Sequence, residues 1–187
     1  MKYSKPIILY EGKNTSSDLR KLRRQYPIWR EYDVYPIQLG ELFEINNPKL
    51  IFSPDFKKKC EDFIKKQIEK KDKTLRGNWI YYPWSGLFVH AVNEKDYLAL
   101  RTNRNKNIIT ISEQKKLQNF CVGIVGLSVG SNIATALAYS GIAKNIKLAE
   151  FDTLETTNLN RIRARIDQIG MSKIDIVTKQ LYEIDPY

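Results

Sequence analysis

Apolar residues are sparse over residues 1–17, which read as an extended or mobile lead. From Asp18 to Tyr26, Leu19 and Leu22 fall on one side of a short helix that opens on an acid. Pro27, Pro36, Pro48 and Pro54 then punctuate a stretch not expected to hold a long helix. Its aromatics (Tyr26, Trp29, Tyr32, Tyr35, Phe43) are suited to packing onto something larger. Ser53-Pro54-Asp55 has the features of a helix start: a capping hydroxyl, a first-turn proline and an acid at the positive end of the dipole. That helix is expected to run to about Lys73, with Phe56, Cys60, Phe63, Ile64 and Ile68 on one face and lysines around the rest. Gly77 to Trp84 reads as a loop leading into a short strand, and Phe88–Val92 as another short apolar segment. Phe120–Val125 has the continuous apolar character of a buried parallel strand. A turn over Gly126–Ser131, a small-residue helix over about Asn132–Tyr139 ended by Gly141, and a second strand over Asn145–Phe151 complete a βαβ unit.

The stretch Leu117–Ala143 carries no charge and is long enough to span a bilayer. Its glycines at 123, 126, 130 and 141, with Asn119, Ser128, Ser131 and Asn132, fit a strand, turn and buried helix instead, so no membrane association is expected. With 42% apolar and 28% charged residues in 187, the chain has the composition of a globular protein able to bury a core. Two cysteines, Cys60 and Cys121, build no disulfide framework, and no Cys/His cluster offers a metal site. Cys60 reads as a small core residue and His90, the sole histidine, as structural. The N-terminus lacks the apolar run of a signal peptide, and a cytoplasmic address is expected.

The net charge of +10 is uneven: residues 1–78 hold 18 bases and 11 acids, whereas residues 121–187 hold seven of each. A basic half attracts nucleic acid or an acidic partner. No nucleic-acid-binding signature accompanies it, so it reads as a solvated face and nucleic acid is not an expected partner.

The βαβ unit carries its chemistry at the turn. Gly126-Leu127-Ser128-Val129-Gly130-Ser131 joins strand to helix, and Glu150 stands at the end of the second strand, where nucleotide folds grip a ribose hydroxyl. Gly126, Ser128 and Gly130 are the expected cofactor-binding positions of the turn, although Ser128 and Ser131 occupy the second and third glycine positions of the usual dinucleotide fingerprint. The expected class is α/β: a partial Rossmann-like nucleotide-binding fold over residues 101–187, preceded by a smaller α+β region over residues 1–100.

The run Glu150-Phe151-Asp152-Thr153-Leu154-Glu155-Thr156-Thr157-Asn158-Leu159-Asn160-Arg161 resembles the signature after the second strand of the ThiF/MoeB family. These are adenylyltransferases related to ubiquitin-activating enzymes. Lys173, twelve residues beyond Arg161, matches the family's nucleotide-binding lysine, and Arg101-Thr102-Asn103-Arg104 with Gln114 and Leu117 resembles a segment before its first strand. With Trp79–Trp84 included, the pattern is similar to bacterial ThiF-type proteins that can carry a nitroreductase-like domain downstream.

The resemblance implies ATP as cofactor and adenylation of the C-terminal carboxylate of a ubiquitin-like or sulfur-carrier-like protein. A carboxylate attacking an α-phosphate needs cations and backbone donors converging on the triphosphate. By the resemblance, Arg161 and Lys173 contact phosphate, Asn158 lines the same site, Glu150 holds the ribose and Asp152 is a partner for the cations. Arg104 matches an arginine that reaches the partner subunit's ATP, implying a homodimer. Ile162 stands where the family has glutamine, and Arg163 and Arg165 read as a solvated stripe. The magnesium-binding aspartate and any catalytic cysteine of the family have no counterpart within these residues. The chain therefore reads as an N-terminal portion, with the Mg2+ ligand expected downstream and little adenylation expected from it alone. Two alternatives remain: an NAD- or flavin-binding oxidoreductase segment using Gly126–Gly130 and Glu150, and a non-catalytic dimerising or partner-binding module.

Overall fold

The computed structural model describes residues 5–69 and 73–187. They fall into two compact units, Lys5–Asn103 and Arg104–Tyr187.

The first unit is built on β1 (Ile7–Leu9), α1 (Ser16–Gln25), β2 (Arg30–Asp33), α2 (Tyr35–Asn46), α3 (Phe56–Glu69), β3 (Asn78–Tyr82), β4 (Leu87–Ala91) and α4 (Glu94–Arg101). Its sheet has the order β1-β3-β4-β2, with β3 antiparallel to β1 and β4, and β2 parallel to β4. Alternate side chains of a strand point to opposite faces, and β3 buries both sets: Tyr81 on one side, Asn78, Ile80 and Tyr82 on the other. Leu22 of α1 packs with Tyr81 and Phe88, while Tyr35, Leu39 and Leu42 of α2 pack with Val92, Phe63 and Tyr97.

The lead, expected to be extended or mobile, contains a true strand, β1. One feature departs from the sequence expectation. The proline-punctuated stretch holds the twelve-residue helix α2, because Pro36 sits in its first turn, where no intrahelical N–H is needed. Helix α3 begins at Phe56, inside the expected start, and residues 70–72 of its expected last turn lie outside the described residues. His90 is structural, as expected. Its Nδ1 lies 2.9 Å from Asp33 Oδ1, its Nε2 2.7 Å from the Arg76 carbonyl oxygen, and its ring stacks on Trp79 at 4.4 Å.

The second unit comprises α5 (Ile111–Gln118), β5 (Cys121–Val125), α6 (Gly130–Ser140), β6 (Asn145–Ala149) and α7 (Lys173–Ile184). Strands β5 and β6 are parallel, in register from Cys121 against Asn145 to Val125 against Ala149. This is the α/β arrangement the sequence predicted, and the uncharged stretch divides into strand, turn and helix. Among the described residues no helix is long and apolar enough to cross a membrane. The inward residues Val122, Ile124, Ile146 and Leu148 pack against Leu127, Ala134 and Leu137 around α6 and against Ile174, Val177 and Leu181 of α7. The alternate residues Cys121, Gly123, Val125, Asn145, Lys147 and Ala149 are exposed.

Candidate functional site

Four segments meet at the carboxyl end of the two parallel strands. The first is the turn from β5 into α6. Gly126 has φ +84°, a left-handed conformation that glycine adopts without strain, and a Cβ there would meet nothing within 4 Å. Gly130 serves a different purpose: a Cβ at this position would lie 2.7 Å from Ile124 Cγ2, so its bareness lets α6 close onto β5. Ser131, at the place of the fingerprint's third glycine, is buried with its hydroxyl donating to the Ser128 carbonyl at 3.1 Å. Val129 gives α6 no side-chain cap, which leaves backbone donors of its first turn without that partner. A cleft of about 560 Å³, lined by Val125, Gly126, Ser128, Val129, Gly130 and Ile133 among others, opens beside this turn.

The second segment is the end of β6. Glu150 Oε2 accepts from Leu127 N at 2.8 Å, and Oε1 accepts from Phe151 N at 2.9 Å and Asp152 N at 3.2 Å. These bonds, the Leu127 one foremost, hold the Glu150 carboxyl below its ordinary range, with help from the positive charge of Lys173. The acid expected to grip a ribose thus also ties the glycine turn to the second strand. Leu127 is a partner no side-chain pattern could reveal, because the contact uses its backbone.

The third segment runs from Glu155 to Arg161. Asn158 is buried and its Oδ1 accepts from Glu155 N at 3.1 Å, closing a 3-10 turn. Leu159 and Ile162 of this segment pack with Leu154 and with Ile176 of α7, which anchors the loop. Arg161 is exposed, its guanidinium donating to Asn160 Oδ1 at 2.9 Å and the Thr157 carbonyl at 3.3 Å. Its own carbonyl accepts from Asn132 Nδ2 at 3.1 Å, which brings Arg161 to the first turn of α6.

The fourth is the start of α7. The Lys173 N–H donates to the Asp152 carbonyl at 3.1 Å and its Nζ to Asp152 Oδ2 at 3.0 Å. Gly126, Ser128, Gly130, Glu150, Asp152, Asn158, Arg161 and Lys173 therefore belong to one region. Arg104 does not. The adjacent Asn105 donates to the Ser140 carbonyl at 3.1 Å, at the far end of α6, about 15 Å along an eleven-residue helix from Gly130. Among the described residues no group of three or more His, Cys, Asp or Glu side chains is placed to hold a metal ion.

Residues 101–187 match the model of the ThiF family. The chain has relatives in several organisms. An uncharacterized protein of Mycobacterium tuberculosis is 40% identical over 109 residues, covering 58% of this chain and 15% of the relative. The ubiquitin-like modifier-activating enzyme 5 of Arabidopsis thaliana is 39% identical over 97 residues, covering 51% of this chain and 22% of the relative. The chain thus spans less than a quarter of the length of either. Among solved structures, the E. coli tRNA N6-threonylcarbamoyladenosine dehydratase TcdA in complex with ATP overlaps 47% of this chain and 37% of its own, at 28% identity and a TM-score of 0.45.

Proposed function

We propose that the ThiF segment binds ATP at the carboxyl end of β5 and β6. In the whole protein it would adenylate the C-terminal carboxylate of a ubiquitin-like or sulfur-carrier-like protein. One observation carries this reading: at the carboxyl end of β5 and β6 a ribose-type acid, Glu150, bonds the glycine turn, the Arg161 backbone meets the first turn of a helix that no side chain caps, and Lys173 pairs with Asp152, two residues beyond Glu150. A helix N-terminus and a pair of cations are what a triphosphate needs, and Arg can chelate two oxygens where Lys supplies a point charge. A dinucleotide-dependent oxidoreductase has no need of that cationic pair. The 39% identity to a ubiquitin-like modifier-activating enzyme supports the acceptor class. Arg104, remote from this turn in its own chain, fits a role across a homodimer interface, and Mg2+ would accompany the triphosphate.

Calorimetric titration of the chain with ATP and with NAD tests the reading. ATP binding that weakens about tenfold on Arg161→Ala is expected, a charge-assisted contact being worth ~1.5–3 kcal/mol. Preference for NAD, with no effect of Arg161→Ala, would reject it.

A further inference from the structure

Lys173 occupies a place that stability alone does not favour. It is the first residue of α7, where the helix dipole repels a cation, and its side chain is only 5% exposed. A buried ammonium is costly unless paired. Among the described residues its one side-chain partner is Asp152, at 3.0 Å, which is itself half exposed.

The pairing is fixed by backbone. Lys173 N donates to the Asp152 carbonyl, Thr153 bridges to Ser172, and Leu154 N donates to the Met171 carbonyl at 2.8 Å. The residue that supplies the counter-charge and the residue that carries the ammonium are therefore held in register by a short antiparallel contact. An ammonium has three N–H donors. Asp152 takes one, and among the described residues the other two have no hydrogen-bonded partner.

We infer that Asp152 is a positioning residue: it holds the Lys173 ammonium in place at the start of α7, so that the two remaining donors are presented to the phosphates of a bound nucleotide. This rests on the ATP reading above. It assigns Asp152 no contact with the ligand, and its whole effect passes through Lys173.

The test is a double-mutant cycle on the full chain, with affinities for ATP and adenosine measured in parallel. Asp152→Asn should weaken ATP about tenfold while leaving adenosine unchanged, because only the phosphate contact is lost. In a Lys173→Met background, the same Asp152 substitution should have no further effect on ATP. Loss of adenosine and ATP affinity together, or additive effects of the two substitutions, would overturn the inference by showing a structural or independent role. If Asp152→Asn does not fold, Asp152→Glu keeps the charge but displaces it by one methylene, and the same selective loss for ATP is expected. Wild-type chain that binds ATP, with an Asp152 variant that binds it equally well, would overturn the inference alone. Wild-type chain that binds no ATP would overturn the ATP reading and the inference with it.

Discussion

The two units use several of their polar groups differently. In Lys5–Asn103 a cluster of them is turned inward on itself, although among the described residues the Ser85 hydroxyl is buried without a hydrogen-bond partner. His90 lies between Asp33 and the Arg76 carbonyl, the buried Asn78 accepts from Glu11 N at 2.8 Å, and Asn93 donates to both Glu11 and Asp96. In Arg104–Tyr187 they are left available: two donors of a buried lysine, a helix start without a side-chain cap, and a turn whose Gly126 faces open space. Internal satisfaction builds a scaffold, and withheld satisfaction builds a binding site. The sheets tell the same story. β3 is covered on both faces, whereas β5 and β6 are covered on one, with Val125 88% exposed on the other.

Substitutions in the two units should therefore differ in kind. The largest loss of stability is expected from Phe88→Ala, which empties a fully buried ring position between Trp79 and Tyr81 and should cost about 4 kcal/mol in chemical denaturation. Gly130→Ala forces a methyl group against Ile124 and should cost about 2 kcal/mol, together with a loss of nucleotide affinity as α6 shifts off β5. A Gly130→Ala protein that keeps both stability and affinity would show that the close approach of α6 to β5 does not shape the site.

The smallest effect is one of pH. Because the Glu150 carboxyl is held below its ordinary range in the folded chain, its contribution to the second unit is complete above the unfolded value of about 4.3 and is lost as pH falls through the lowered folded value. Glu150→Gln should remove that acid-limb dependence and flatten stability as pH falls below the unfolded carboxyl value, read from urea melts at each pH. An unchanged acid limb would mean that the bonds to Leu127, Phe151 and Asp152 contribute nothing through the charge.

The second unit was the more legible from sequence, for a physical reason. A parallel βαβ unit writes itself as an uncharged strand, a glycine turn and a small-residue helix, and β5, α6 and β6 all fall where that pattern puts them. The first unit hides its edges. β2 is Arg30-Glu31-Tyr32-Asp33, exposed at every position, and reads as polar loop because an edge strand has no buried face to betray it. Helix α2 was masked by Pro36, which breaks helices inside but opens them at the first turn. At the site, the side chains were legible from their motif. The contacts that hold them were not, because Leu127 N, the Arg161 carbonyl and the Lys173 N–H are backbone groups that any residue could supply.

The most direct test of the central claim is amide hydrogen exchange over the whole chain with and without ATP. The account predicts slowed exchange confined to residues 126–132, 150–152, 158–161 and 173, with residues 5–103 unchanged. Protection centred on the first unit, or none at all at saturating ATP, would contradict it.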